Sequence, residues 1–132
     1  MGKRSLRVIL AALSAAIAAP LAANAPEQTE VEGPGPARPL PGTMLMPADA
    51  RAVVVMLPGS GPTDRDGNSP LGVRGSVYRL LAEGLAARGI ATLRTDKRGL
   101  FGSFAAGGDA NRVSVPEYAA DAHQWVRVAR ER

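Results

Sequence analysis

Two clusters in this chain bring together residue types that can do chemistry: Pro58-Gly59-Ser60-Gly61-Pro62-Thr63-Asp64-Arg65-Asp66-Gly67-Asn68, and Asp96-Lys97-Arg98-Gly99. The first follows directly on the apolar run 52–57. Its two prolines and three glycines remove backbone donors and favour dihedral angles that a strand does not tolerate, so the run must end there in a tight loop. Glycines on either side of Ser60 let a ligand come close to exposed backbone N–H groups. The loop is therefore a candidate site for an anion or a developing oxyanion. The ordinary alternative for such a Gly/Pro cluster is a turn that only reverses the chain.

Other chemistries fit these residues less well. Asp64, Asp66 and Asn68 alternate as calcium ligands do, but glycine falls at the fourth place instead of the sixth, and the twelfth place is Gly75 instead of glutamate. These side chains are expected to brace the loop by accepting from its own N–H groups. Gly59-Ser60-Gly61 lacks the Lys-Ser/Thr of a phosphate-binding P-loop. The third glycine of a dinucleotide fingerprint is replaced by Asp64, whose charge would repel a pyrophosphate. Asp96 is expected to pair with a nearby guanidinium and hold the two loops in register, while Arg98 either joins that bracing or lines a substrate cleft. His123, the single histidine, lies within a helical stretch and reads as an ordinary helix residue.

The elements that must carry these clusters follow from periodicity. The valine-rich run 52–57 suits a buried central strand of a parallel sheet. Residues 42–47, a polar turn at 48–51 and the valine strand together read as an edge hairpin. Val77, Leu80, Leu81 and Leu85 recur at helical spacing, and Gly89 stands where a helix stops. Residues 90–95 form a second strand ending at Asp96, which completes a strand-helix-strand crossover. Ser114-Val115-Pro116-Glu117 has the form of a capping box opening a helix from Val115 to about Arg130, with Tyr118, Ala122, Trp125, Val126 and Ala129 on one face.

The chain has 132 residues, enough for one domain. With no cysteine, disulfides, thiolate chemistry and cysteine-based zinc sites are excluded. Residues 1–25 have a positive start, an apolar run from Val8 to Ala19 too short to span a bilayer, and a small-residue end at Ala23-Asn24-Ala25, the pattern of a secretory signal. Export to the periplasm or exterior of a bacterium is the expectation, with no membrane association once the signal is removed. Of the 16 basic residues, Lys3, Arg4 and Arg7 lie in that segment, leaving 13 against 12 acidic ones, a net of +1. Nucleic-acid binding has little electrostatic support. Residues 26–41 carry five prolines and three glutamates and read as an extended, solvated linker.

Leu57-Pro58-Gly59-Ser60-Gly61 resembles the oxyanion loop that follows a central strand in the α/β-hydrolase superfamily, and Asp96-Lys97-Arg98-Gly99 with Gly102-Ser103 is similar to the D-x-R-G-x-G-x-S turn after the next strand. Together, over about residues 42–130, the two look most like the secreted esterase and serine-aminopeptidase-like branch. Pro58 stands where many members carry histidine. The resemblance implies a partial α/β-hydrolase sheet, an edge hairpin plus parallel strands with crossover helices, occupying residues 42–132. It also implies a small ester or peptide substrate, no cofactor, and Ser60 N–H in the oxyanion hole with its hydroxyl not a nucleophile. Gly59, Gly61, Asp64, Asp66, Asp96 and Arg98 would line the cleft or brace its loops.

The superfamily's nucleophile lies in a G-x-S-x-G elbow after a later strand, with an acid and a histidine beyond it. None of the serines at 5, 14, 60, 69, 76, 103 and 114 has that context. The chain therefore reads as the amino-terminal part of such a hydrolase, ending before the elbow. The alternative is a complete, non-catalytic exported α/β binding module. Nothing in these residues specifies an oligomeric state.

Overall fold

The computed structural model describes residues 25–132. The expected signal segment lies outside these residues except for Ala25. Four strands form one mixed sheet: β1 (Glu27–Gly33), β2 (Leu40–Met46), β3 (Ala52–Met56) and β4 (Ile90–Thr95), in the spatial order β1-β2-β4-β3. β1 and β2 run antiparallel, as do β2 and β4, whereas β3 and β4 are parallel. Helix α1 (Val77–Ala86) connects the parallel pair; a single turn, α2 (Phe104–Gly107), and the long helix α3 (Val115–Arg130) follow β4. The arrangement is of the α/β type.

The sheet buries both faces. Leu93, Met44, Leu40 and Val31 meet Trp125, Ala129 and Ala106 on one side. On the other, Leu45 meets Ala82 and Ala86 of α1, with Met56 packed against them. Because strand side chains alternate, the neighbours Met44 and Leu45 point to opposite layers. The most enclosed strand is β4, where Ala91, Thr92 and Leu93 are inaccessible and Arg94 and Thr95 nearly so.

Three sequence-based expectations need correction. Residues 26–41 are not a solvated linker: Glu27–Gly33 pair along their whole length with Leu40–Met46, and Val31 is buried. Extended, proline-rich chain is compatible with a strand when the prolines fall outside it or at a position paired on one side alone, as Pro41 is, opposite Glu32 of β1. Pro34, Pro36 and Pro39 fall in the connection, and Pro41 lies just outside the β2–β4 register, which begins at Gly42. The hairpin is consequently β1–β2, and β2 and β3 are separated by β4. Lastly, the valine strand is at the rim of the sheet and only half covered, with Val54 38% exposed. A continuous apolar run satisfies a rim strand of a two-faced sheet as well as a central one, so composition alone does not separate them.

Helix α1 also turns differently from its hydrophobic pattern. Val77, Leu80 and Leu81 are each about half exposed, while Ala82 and Ala86 are buried. The two alanines let the helix backbone come close to Leu45 and Met56, which larger side chains would prevent. In α3 the inward face is Asp121, Trp125 and Ala129, and Val126 faces outward.

Trp125 has a slot made for it by two glycines. A Cβ at Gly33 would lie 2.9 Å from the indole, and one at Gly42 3.0 Å from it and 3.2 Å from the Arg94 carbonyl oxygen. Gly42→Ala is therefore expected to cost about 1–3 kcal/mol through forced repacking, read as a lower urea midpoint. Most of that cost should disappear in a Trp125→Phe background, where the smaller ring leaves room. An equal cost in both backgrounds would show that the clash is with the Arg94 backbone instead.

Candidate functional site

The loop after β3 is organised by hydrogen bonds to its own backbone. Asp64 accepts from the N–H groups of Asp66 (2.9 Å) and Asn68 (2.8 Å) and from the Asn68 amide side chain. The Asp66 carbonyl accepts from the N–H of Tyr78, one of the donors left unpaired at the start of α1. Ser76, held at a positive φ of 46°, is secured by Asn68 Oδ1, which accepts from both its N–H and its hydroxyl. The Asp66 carboxylate pairs with Arg94, a guanidinium almost wholly buried on β4. Asp64, Asp66 and Asn68 thus spend their acceptors on loop, helix and strand.

Arg65 docks this loop onto the sheet. Its backbone N–H and Nε donate to Asp96 at 2.8 and 2.9 Å, and its Nη1 reaches Glu30 on β1 (2.8 Å) and Thr43 on β2 (3.0 Å). Asp96, with only 3% of its side chain exposed, also accepts from the Gly102 N–H at 3.3 Å. Sequence reasoning missed Arg65, Glu30 and Thr43. The only local signal was an arginine between two aspartates, and its partners are distant in the chain.

The turn after β4 is tied to α3 in the same way. Arg98 grips Asp121 with two donors, Nε to Oδ2 at 2.7 Å and Nη2 to Oδ1, and reaches Glu117 at 3.4 Å. The hydrogen bond to Asp121 holds the Arg98 pKa above its ordinary value. Gly99 sits at φ 75°, where a Cβ would fall 2.7 Å from the Gly108 carbonyl oxygen, so this turn admits only glycine. Arg98 therefore braces instead of lining the cleft.

At the start of α3, the Ser114 N–H and hydroxyl each donate to Glu117 Oε2 at 2.7 Å. These bonds, with a weaker contribution from Arg98, hold the Glu117 carboxyl below its ordinary value of 4.5. A carboxylate whose pKa is depressed by folding contributes stability above its unfolded value and loses it as pH falls through the folded value. Glu117→Gln is expected to lower thermal stability modestly at neutral pH, with the difference from the parent closing on acidification below 4.5. A difference that stays constant with pH in thermal melts would count against this.

Between the two braced loops, at the carboxyl ends of the parallel strands, lies a cavity of about 440 Å³. Leu57 to Gly61 form one wall, Thr95 to Lys97 the second, and Tyr118, Asp121 and Trp125 of α3 the third. Both carboxylates on these walls are already neutralised, Asp96 by Arg65 and Asp121 by Arg98, whereas Lys97 has no carboxylate partner among the described residues. Desolvation lowers the Lys97 pKa from its ordinary value. Among the described residues nothing accepts a hydrogen bond from the Ser60 N–H, and Ser60 is exposed. Gly59 and Gly61 line the same wall. His123 is exposed on the far side of α3, with Arg127 and Arg130, away from this cavity.

These features define an α/β protein with a hollow at the carboxyl end of a parallel strand pair, bordered by a lysine with no carboxylate partner and a backbone donor with no protein acceptor among the described residues. No family model matches the sequence, and no curated protein matches it significantly.

Proposed function

We propose that this chain carries the amino-terminal part of an exported α/β-hydrolase acting on carboxylic esters or small peptides, with residues 57–61 supplying one donor of its oxyanion hole. The observation that carries this is the Ser60 amide. It is free of any acceptor among the described residues, on the wall of a cavity, in the loop between the third strand and the first long helix. That is the loop from which α/β-hydrolases take the oxyanion-hole N–H that is not provided by the residue after the nucleophile. A fixed amide of this kind stabilises the charge on the acyl oxygen in the tetrahedral intermediate without reorganising at the moment of reaction.

In this reading the described residues provide binding and electrostatic stabilisation, while the serine nucleophile, acid and histidine come from elsewhere. The test is to read the coding DNA beyond codon 132 in all forward frames. A G-x-S-x-G elbow followed by an acid and a histidine is expected, and its absence overturns the proposal. Assays agree with the reading if the 132-residue chain alone turns over p-nitrophenyl acetate no faster than buffer. A cooperative unfolding transition together with an elbow-free downstream sequence would favour the non-catalytic binding module.

A further inference from the structure

Lys97 extends from the end of β4 across the cavity mouth, and its ammonium donates to two carbonyl oxygens, those of Gly59 and Gly61. They are the carbonyls on either side of Ser60. The Gly59 carbonyl belongs to the same peptide group as the Ser60 N–H, and in a planar trans peptide C=O and N–H point in opposite directions. Whatever holds one end of that group aims the other. The flanking glycines make such a hold necessary, since each can rotate through conformations closed to other residues. Gly61 itself sits at φ 77° with open space around it; besides Lys97, its carbonyl accepts among the described residues only from the Thr63 N–H two residues on, at 3.0 Å, a bond within the loop that does not tie it to the sheet.

We infer that Lys97 is the positioning residue of this site, fixing the direction of the Ser60 amide by gripping the carbonyl of its own peptide group, at Gly59, and that of Gly61 beyond it. The inference rests on reading 57–61 as an oxyanion loop, and it adds a residue whose only contact with the chemistry is through the loop backbone. The surrounding charges leave Lys97 available for this. Asp96, next to it in the chain, is taken by Arg65, and Asp121, facing it from α3, is taken by Arg98; Tyr118 is the remaining titratable group on that wall. With no carboxylate to draw the ammonium away, two carbonyl oxygens are its acceptors. An ammonium with several donors on a flexible stem can reach both at once.

The experiment uses the 15N-labelled full chain at mildly acidic pH, where exposed amides are visible and Lys97 is charged. It compares the parent with Lys97→Met and Lys97→Arg, with methylphosphonate as a tetrahedral anionic probe. Backbone order at Ser60 is expected near the rigid value of about 0.85 in the parent and Lys97→Arg, and below about 0.6 in Lys97→Met. Amides of β4 and α3 should be unchanged in all three. The probe should shift the Ser60 amide resonance, with affinity falling about tenfold in Lys97→Met, the equivalent of one charge-assisted hydrogen bond, and recovering in Lys97→Arg.

Equal order and equal probe affinity in the parent and Lys97→Met would overturn the role of Lys97. If Ser60 order depends on Lys97 but the parent's Ser60 amide ignores methylphosphonate, the clamp stands and the oxyanion reading falls. If the amide responds to the probe regardless of residue 97, the oxyanion reading stands and the clamp falls.

Discussion

Replacing Asp96 with alanine is expected to cost about 3–5 kcal/mol of folding stability, the range found when one partner of a buried ion pair is removed. The carboxylate accepts from a backbone N–H, a guanidinium and the Gly102 N–H, and its side chain is 3% exposed. Its loss leaves the Arg65 guanidinium, itself mostly buried, with Glu30 as its remaining carboxylate, and Glu30 is two-thirds exposed. Domains of this size are stable by about 5–15 kcal/mol in total, so the variant should unfold at markedly lower urea. An unchanged slope of the urea transition would place the loss in native contacts instead of in the denatured state. Asp96→Asn, which keeps an acceptor, should fall between. The paired change Arg65→Met with Asp96→Leu should recover much of the loss, because the penalty comes from an uncompensated charge. A cost below about 1 kcal/mol for Asp96→Ala would mean that the pair behaves as a surface salt bridge.

Trp125→Ala is the second large effect, again about 3–5 kcal/mol. The indole is 1% exposed, occupies the slot above Gly33 and Gly42, and forms part of the cavity wall. Its removal opens the sheet-facing side of α3 and enlarges the cavity from below. Trp125→Phe should cost less, since an aromatic ring still fills part of the space. As the chain holds only one tryptophan, the alanine variant must be followed by circular dichroism. In the parent, however, the same indole reports on the cavity by fluorescence. A loss under about 1 kcal/mol for Trp125→Ala would show that α3 does not depend on this contact.

The parts of the fold set by local chemistry were legible in the sequence. β4 and α3 have the predicted boundaries because a β-branched stretch closed by Asp96 and a Ser-x-x-Glu start are short-range signals. What depends on distant partners was not legible. Residues 27–33 look like linker until β2 is laid beside them, and the rim position of β3 follows from where β4 inserts. The α1 pattern misled because two alanines, not its leucines, meet the sheet. At the site, the glycine-flanked amide and the bracing role of Asp96 could be read from residue types. Arg65 reaching two strands and the turn after a third could not, nor could Lys97 reaching back 36 residues to Gly61, because nothing in the neighbouring sequence marks either partner.

The strand order has a consequence for synthesis. β4, the innermost strand of the parallel pair, is the last of the four to be made, yet it separates β2 from β3. A chain that emerges from its amino end, whether from the ribosome or from an export channel, can pair β1 with β2 first, but its valine strand has no partner until Thr95 has followed. For those 39 residues beyond Met56, the inner edges of both waiting strands stay open to other chains. Holdase chaperones that bind unpaired apolar strands would meet this polypeptide at that interval.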